Sequence, residues 1–353
     1  MTEESAEIDI RTQGRAGRIT LNRPKALNAL TYDMCLRIEA ALDAWRDDAA
    51  VDLLIIDAAG DKAFCAGGDI AELYRTGKAG DYAYGRRFWA DEYRMNAKLF
   101  EFPKPVVSLM QGFVMGGGVG VGCHGSHRIV DTSAQIAMPE CGIGLVPDVG
   151  GSLLLARAPG RVGEHLGLTA ARMSAGDAIF AGFADACLPR DAWPDLIADL
   201  CATGDIDAAE RPCAEAPPAS DLSTQMDNIT AHFGGERLDD ILRSLQAQEN
   251  DFTAAALKQM GRNSPLSMGC TVEMIHRLRG PSAEIRRALD LEYRFTFRSM
   301  DQGDFLEGVR AAIIDKDRNP HWKHTLHALP DVAVSQMLLP LGEDALTLEE
   351  KTT

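Results

Sequence analysis

Two acidic residues lie in a stretch that is otherwise uncharged, and their spacing could support acid–base or nucleophilic chemistry. Glu140 and Asp148 are the only charges within residues 132–156, in the run 138–151 (MPECGIGLVPDVGG). A carboxylate among apolar residues has few solvating partners, so its pKa departs from that of a surface carboxylate. Two prolines and four glycines in this run predict a loop that turns both acids toward one site. The alternative is a pair of helix or turn caps.

Two glycine-rich segments could supply main-chain donors. Residues 64–69 (FCAGGD) and 115–122 (MGGGVGVG) contain small residues that let backbone N–H groups approach a ligand atom, as an oxyanion hole requires. The second segment opens a predicted helix, whose first N–H groups are unpaired. The alternative for the first segment is an ordinary turn. For the second it is a dinucleotide loop, because residues 120–125 satisfy G-x-G-x-x-G; however, these glycines fall inside the predicted helix.

The sequence lacks the motifs of several other catalytic classes. It contains no G-x-S-x-G, no H-E-x-x-H and no C-x-x-C. His124 and His127 are three residues apart beside Cys123, a spacing that we interpret as local packing and not as a metal site. We therefore predict no bound metal.

Composition excludes some partners. The 353 residues carry 52 acidic and 36 basic side chains, a formal charge of -16. This charge disfavours binding to nucleic acid or to an anionic membrane, since phosphates are neutralised by surplus Lys and Arg. Eight scattered cysteines predict reduced thiols, and the first ten residues resemble neither a secretory signal nor a transit peptide. A cytoplasmic location is the expectation.

One uncharged stretch is long enough to span a bilayer. Residues 105–127 carry no formal charge but contain seven glycines. A buried strand followed by a glycine turn explains this composition better than a membrane helix does. We therefore predict no membrane partner.

The hydrophobic pattern predicts alternating strands and helices that would position these residues. Thr31 is expected to cap a helix with one apolar face, and residues 51–57 (VDLLIID) read as a strand covered on both sides. The other predicted strands are residues 18–22, 105–111, 128–131 and 135–138, with helical pattern at 81–100, from about 152 onward, and at 236–315. This order predicts an α/β fold. The composition of residues 202–222 predicts a linker.

Four segments together resemble the crotonase (enoyl-CoA hydratase/isomerase) superfamily and, more narrowly, its 3-hydroxyisobutyryl-CoA hydrolase branch. They are GGD at 67–69, MGGGVGVGCHG at 115–125, AMPECGIGLVPDVGG at 137–151 and DFLEGVRAAIIDKDRNPHW at 304–322. The resemblance covers residues 15–200 and 250–322. It implies a crotonase-like ββα spiral core at 1–201, the linker at 202–222 and a helical C-terminal region at 223–353.

The resemblance also implies roles for individual residues. Gly68 and Gly117 match the two amides that hold a thioester oxygen, while Glu140 matches the catalytic glutamate and Asp148 its acidic partner. Glu92 matches a substrate-contacting position. The implied function is hydrolysis of a short hydroxyacyl-CoA, with 3-hydroxyisobutyryl-CoA of valine breakdown as the expected substrate.

One departure bears on the alternative function, an enoyl-CoA hydratase or isomerase that uses a single glutamate. In hydratases of this family the first of two glutamates falls two residues after the triple glycine, whereas this sequence has Gly120 there. Hydrolase-branch members also have glycine at this position.

The expected acyl-CoA substrate carries phosphates that an acidic protein must offset locally. Lys25, Lys62 and Lys316 are candidates, and for each of them a solvated surface position is the alternative. No cofactor is expected, since CoA is part of the substrate. A homo-oligomer is possible by resemblance.

Overall fold

The computed structural model describes residues 6–211 and 216–349. Two compact units alternate along the chain. The first comprises the described residues up to Gly68, together with Arg94–Ile136 and Met173–Asp221; the second comprises Asp69–Tyr93, Ala137–Arg172 and the described residues from Leu222 onward. The domains predicted from the sequence, 1–201 and 223–353, are consecutive segments of the chain, unlike these two units. Their boundaries stay a prediction.

Nine strands occur in the described residues, and they are numbered here in chain order. They are β1 (Ile8–Gln13), β2 (Ala16–Leu21), β3 (Leu53–Ala58), β4 (Ala63–Cys65), β5 (Val106–Met110), β6 (Phe113–Met115), β7 (His127–Val130), β8 (Gln135–Ala137) and β9 (Ala186–Cys187). All the strands predicted from the sequence are present. The pattern missed β1, β4, β6 and β9; β4, β6 and β9 have three residues or fewer and carry little periodicity, whereas β1 is as long as β2.

The strands form two sheets in the part of the chain that is described. The larger has the order β1-β2-β3-β5-β7-β9, and the smaller has the order β4-β6-β8. β1 is antiparallel to β2, whereas β2, β3, β5, β7 and β9 pair in parallel. The predicted α/β architecture with a parallel-rich sheet is therefore confirmed.

Helices account for most of the remaining structure. They are α1 (Tyr32–Arg46), α2 (Ala71–Lys78), α3 (Tyr82–Phe100), α4 (Gly117–Gly122), α5 (Gly151–Arg157), α6 (Val162–Thr169), α7 (Ala175–Ala181), α8 (Trp193–Thr203), α9 (Asp207–Glu210), α10 (Asp221–Thr224), α11 (Met226–His232), α12 (Leu238–Gln246), α13 (Asp251–Met260), α14 (Pro265–Leu278), α15 (Ile285–Ser299), α16 (Phe305–Val309) and α17 (Asp331–Met337). A π-helical turn, Arg310–Ile314, continues α16.

The core of the first unit lies between the larger sheet and α8–α9. Leu53, Ile55 and Val107 from the strands pack with Leu200 of α8 and Ala209 of α9. The predicted linker 202–222 thus contains a short packed helix, and its residues 212–215 lie outside the described residues. Thr31 caps α1 as predicted, with its hydroxyl accepting from the Met34 amide at 3.3 Å.

The second unit has a helical core. Its buried apolar residues come from α6, α12–α14, the short 3-10 helix Glu140–Ile143 and Phe233 at the end of α11. The apolar face predicted for α12 is confirmed, because Leu238, Ile241, Leu242 and Leu245 are all buried.

No helix among residues 6–211 and 216–349 combines the length and apolar character needed to cross a membrane. The uncharged stretch 105–127 is instead divided between β5, β6 and α4.

Candidate active site

Two glycine turns of the first unit follow β4 and β6, which are hydrogen-bonded neighbours. Gly67 (φ 112°) and Gly116 (φ 50°) have left-handed backbone conformations that favour glycine. The next residues, Gly68 and Gly117, have amide N–H groups that donate no hydrogen bond within the described part of the chain. Each turn therefore offers one main-chain donor, as the oxyanion hypothesis requires. Their assignment to a substrate carbonyl stays a prediction.

The glycines of α4 are required by close packing. A Cβ at Gly118 would overlap the carbonyl oxygen of Cys65, so no side chain fits where α4 meets β4. The Asn96 side-chain amide donates to the Gly120 carbonyl at 3.1 Å and holds the same helix from another side. As expected from the sequence, Gly120 and Gly122 lie inside the helix, which disagrees with a dinucleotide loop.

Both acids of the 138–151 run belong to the second unit and are buried. Glu140 begins the 3-10 helix and is 4% exposed; Asp148 lies in the turn before α5 and is 5% exposed. One carboxyl oxygen of Glu140, Oε2, is buried without a hydrogen-bond partner in the described residues. A buried unpaired carboxyl oxygen is costly and is typical of a group whose partner is a substrate or water.

The two acids influence each other electrostatically. Burial raises the pKa of Glu140 well above its usual value, and the neighbouring charge of Asp148 raises it further. Burial raises the pKa of Asp148 to about 7, although a hydrogen bond from Tyr93 acts in the opposite direction. Two close buried carboxylates do not both ionise freely, and a proton shared by the pair near neutral pH stays a prediction. The loop does bring both acids together.

Helix α3 contributes two more groups to this cluster. The Tyr93 hydroxyl donates to Asp148 Oδ2 at 2.7 Å, and both side chains are buried. Glu92 is 3% exposed, and burial raises its pKa well above the usual value, with the charge of Asp148 as the second cause. Glu92 thus lies near Asp148, while its contact with substrate stays a prediction. Nothing in the sequence distinguishes Tyr93 from the other aromatic residues of α3, so its contact with Asp148 was not predicted.

Glu292 of α15 is a fourth buried carboxyl that sequence analysis missed. It accepts hydrogen bonds from the Gly150 amide at 2.8 Å, from the Ser152 amide at 3.1 Å and from the Ser152 hydroxyl. A signal was available, because Glu292 interrupts the apolar face of an amphipathic helix between the buried Leu289 and Phe295. A lone acid on a buried face requires a local partner.

The C-terminal motif 304–322 supports the 3-10 helix that carries Glu140. A Cβ at Gly308 would overlap the backbone of Ile143, and a Cβ at Gly144 would overlap Asp304. The Ser264 amide donates to the Cys141 carbonyl at 2.9 Å. These main-chain contacts fix the position of Glu140 within the second unit.

Two of the candidate lysines line a cavity of the first unit. Lys25 and Lys62 border a cavity of about 400 Å³ together with Asn28 and Gly60, and both lysine side chains are exposed. Lys316 is exposed on the second unit, where its backbone is left-handed (φ 58°). The structure brings the first two lysines together, and phosphate binding by any of the three stays a prediction.

His124 and His127, whose spacing we interpreted as local packing, each have a nearby partner. The His124 ring contacts Phe100 edge-to-face with ring centroids 5.7 Å apart, and His127 Nδ1 lies 2.9 Å from the Ser126 hydroxyl. No group of three or more potential metal ligands occurs within the described ranges.

The sequence profile of the enoyl-CoA hydratase/isomerase family matches residues 16–338. The chain is 35% identical to the Gallus gallus protein "3-hydroxyisobutyryl-CoA hydrolase, mitochondrial", over 98% of this chain and 92% of that protein. It is 37% identical to the Homo sapiens protein of the same name, over 91% and 85%.

Two solved structures are similar over almost the whole chain. One is called an enoyl-CoA hydratase from Rhodobacter sphaeroides 2.4.1, with a TM-score of 0.91 and 56% identity over 97% of this chain and 100% of that one. The other is called a carnitinyl-CoA dehydratase from Mycobacterium thermoresistibile, with a TM-score of 0.91 and 39% identity over 98% and 100%.

Proposed function

The chain belongs to the enoyl-CoA hydratase/isomerase family, and from this premise we propose that it hydrolyses 3-hydroxyisobutyryl-CoA to 3-hydroxyisobutyrate and CoA. The observation that carries the proposal is its 35–38% identity, over 91–98% of the chain, to curated proteins named for this reaction. The predicted crotonase-like α/β fold is confirmed.

The two glycine turns supply the electrophilic half of the mechanism. The thioester carbonyl binds between the Gly68 and Gly117 amides, which are unpaired within the described residues. As the carbonyl carbon becomes tetrahedral, its oxygen gains negative charge. Prealigned amides stabilise that charge by about 3 kcal/mol per donor.

Glu140 supplies or activates the attacking oxygen, and two routes remain open. In the first, Glu140 removes a proton from water, and the hydroxide attacks the carbonyl carbon. In the second, a Glu140 oxygen attacks, the C–S bond breaks to give a mixed anhydride, and water then cleaves the anhydride. In both routes the thiolate leaves with a proton, which the acid pair can donate. Asp148 orients Glu140 or water, or binds the substrate hydroxyl.

The second candidate is a hydratase or isomerase that uses Glu140 alone. The similarity to the Rhodobacter sphaeroides protein, which is 56% identical and is called an enoyl-CoA hydratase, favours it. Gly120, which is buried in α4 and has no side chain to activate water, restricts this candidate to chemistry by Glu140 alone. Water addition by a carboxylate pair would need an acid at this position by resemblance to hydratases.

A thiol-release assay separates the two functions. Purified protein is incubated with a panel of acyl-CoA esters, and free CoA is followed with a thiol reagent. We expect the fastest release from 3-hydroxyisobutyryl-CoA. Consumption of crotonyl-CoA without thiol release, and no hydrolysis of any hydroxyacyl-CoA, would instead establish the second candidate.

Removal of the Tyr93 hydroxyl should shift the pH dependence of hydrolysis. Glu140 can act only after the coupled pair of Glu140 and Asp148 has lost a proton, and the pKa of Asp148 is raised to about 7, so kcat/KM is expected to fall as pH drops through about 7. The Tyr93 hydroxyl stabilises ionised Asp148, and Tyr93→Phe therefore raises the pKa of Asp148. Because a hydrogen bond to a charged carboxylate is lost, the acid limb of the kcat/KM profile should move up by about one pH unit.

The measurement is kcat/KM from pH 5 to 9 for wild type, Tyr93→Phe and the control Tyr84→Phe, which changes a partly exposed tyrosine of the same helix. Tyr84→Phe should leave the acid limb in place. An unchanged or downward shift in Tyr93→Phe would contradict the role given to this hydrogen bond.

Charge reversal at Lys62 tests recognition of the CoA phosphates. Because Lys25 and Lys62 line one cavity, Lys62→Glu should raise KM for the acyl-CoA about fivefold at low salt, with kcat nearly unchanged. The same acyl group on pantetheine, which lacks these phosphates, should show no difference. Lys258→Glu, an exposed substitution of equal charge on α13, is the control. An unchanged KM in Lys62→Glu would remove this lysine from the site.

The cellular setting is part of the proposal. The seven cysteines of the described residues are free, and six of them are buried, which supports a reducing compartment, for which we propose the cytoplasm. The animal relatives carry "mitochondrial" in their names. Participation in valine breakdown follows from the proposed substrate, and homo-oligomer formation rests on resemblance to the family.

A further inference from the structure

Glu292 occupies an unusual position for a glutamate. Its side chain is fully buried, and its carboxyl accepts from two main-chain amides and one hydroxyl of the segment Gly150–Ser152. Gly150 and Ser152, which supply these donors, lie 142 and 140 residues from Glu292 in the sequence. No salt bridge to Glu292 occurs among the described residues, so main-chain dipoles and a hydroxyl are its partners.

A glutamate in such surroundings is costly to maintain. Burial of a carboxyl without a cation disfavours the ionised form, and burial raises the pKa of Glu292 to about 8 even though its three donors act in the opposite direction. Helix α5 lacks a capping side chain of its own, because its N-cap residue is Gly150. A Ser, Asp or Asn at the N-cap would satisfy these amides locally without a buried acid from another helix.

The segment that Glu292 holds follows Asp148 directly and is strained. Val149 has φ 54° and Gly150 has φ 79°, so two consecutive residues are left-handed. This conformation is uncommon for a β-branched residue and persists only where the surrounding contacts impose it. The Gly151 amide closes the turn by donating to the Asp148 carbonyl at 2.7 Å.

Asp148 is therefore held from two directions. Tyr93 binds its carboxylate at Oδ2, and Glu292 binds the backbone of the turn that follows it. Without Glu292, Val149 and Gly150 could leave the left-handed conformation. That change would rotate the Asp148 side chain away from its place beside Glu140.

We propose that Glu292 is a positioning residue, which acts on hydrolysis by holding the Val149–Gly150 turn and thereby the orientation of Asp148. This inference rests on the proposed function only in assigning Asp148 to the reaction. Glu292 itself touches neither substrate nor reacting atoms in this scheme.

A double-mutant cycle tests the proposal through kcat. Glu292→Gln keeps the size of the side chain but places an NH2 group against backbone donors, so we expect kcat to fall about tenfold or more with KM within about threefold of wild type. In an Asp148→Asn background the same substitution should lower kcat less than about threefold, because contacting residues that act as a unit are not additive. An equal loss in both backgrounds would overturn the proposal.

Glu164→Gln is the matched control, because Glu164 is equally buried in the same unit but is paired with Arg161 and Arg279. It should lower the thermal midpoint while leaving kcat within about twofold in both backgrounds. If Glu292→Gln does not fold, Ser152→Ala removes one of the three donors. Its smaller loss of kcat should likewise vanish in the Asp148→Asn background, and an equal loss in both would overturn the proposal.

Amide exchange gives a readout that is independent of activity. Hydrogen–deuterium exchange of peptides that cover residues 148–152 should be at least about tenfold faster in Glu292→Gln than in wild type. Unchanged exchange would overturn the proposal even if kcat falls. If wild type releases no CoA, the proposed function fails, while the exchange measurement still decides whether Glu292 holds the turn.

Discussion

Glu140→Gln is expected to lower kcat/KM for 3-hydroxyisobutyryl-CoA by about 10³-fold or more, while CoA binds within about threefold of its wild-type affinity. An amide of equal size has no proton-accepting carboxylate and cannot form a mixed anhydride. Both open routes therefore fail in this variant. Stopped thiol-release assays measure the rate, and calorimetric titration with CoA measures binding.

The same substitution should not destabilise the protein. The folded-state pKa of Glu140 lies well above the ordinary glutamate value, so the folded state binds more protons and loses stability as pH rises above that ordinary value. Glutamine does not ionise, and this loss is absent. At pH 8 the thermal midpoint of Glu140→Gln should equal or exceed that of wild type.

The buried, ion-paired Glu164 again provides a control, since burial of a glutamate is common to both positions. Here the pKa of Glu164 is lowered to about 2 by its partners His276 and Arg279 despite its burial. Glu164→Gln should therefore lose stability and keep its turnover, the reverse of Glu140→Gln. Hydrolysis at the wild-type rate in Glu140→Gln would remove this carboxyl from the mechanism.

Gly118→Ala is the second substitution with a large expected effect. The added methyl group would overlap the Cys65 carbonyl oxygen, so α4 must move away from β4. That movement displaces the Gly117 amide from its place beside the turn at Gly68. Removal of one oxyanion donor predicts a fall in kcat of about 10²-fold or more.

Gly122→Ala separates this effect from a general loss of stability. Its methyl group would overlap Met110 Sδ and the Phe64 ring, which lie in the core and not at the turn. Both variants should therefore have lower thermal midpoints, but only Gly118→Ala should lose most of its kcat, measured well below the midpoint. Equal losses of kcat in the two variants would contradict the assignment of the Gly117 amide.

Many elements of this fold were predictable because their signals are local. The helix that Thr31 caps and the buried face of α12 follow from a period of 3.6, and β3 follows from an apolar run. The isolation of Glu140 and Asp148 in an uncharged stretch predicted their burial, since charge on a chain segment is visible without coordinates. The glycine-rich segments around Gly67 and Gly116 likewise indicated positions where the backbone favours glycine, and both residues have positive φ.

The smaller sheet was not predictable in this way. Of its three strands only β8 was predicted, because β4 and β6 are three residues each and too short to show an alternating pattern. Their pairing places the turns after β4 and β6 next to each other. Sequence motifs identified the glycines of both turns, whereas strand pairing shows that the two turns follow neighbouring strands.

By itself, the sequence determined the apolar faces of the longer helices, the buried central strands and which acids lack charged neighbours along the chain, because these properties depend on residue type and short spacing. Only the tertiary structure decided that Tyr93 binds Asp148 across 55 residues and that Glu292 holds the following turn across 140 and more. Periodicity gives the buried face of a helix but not the partner that the face meets. That partner is set by how distant helices pack, which is a property of the whole fold.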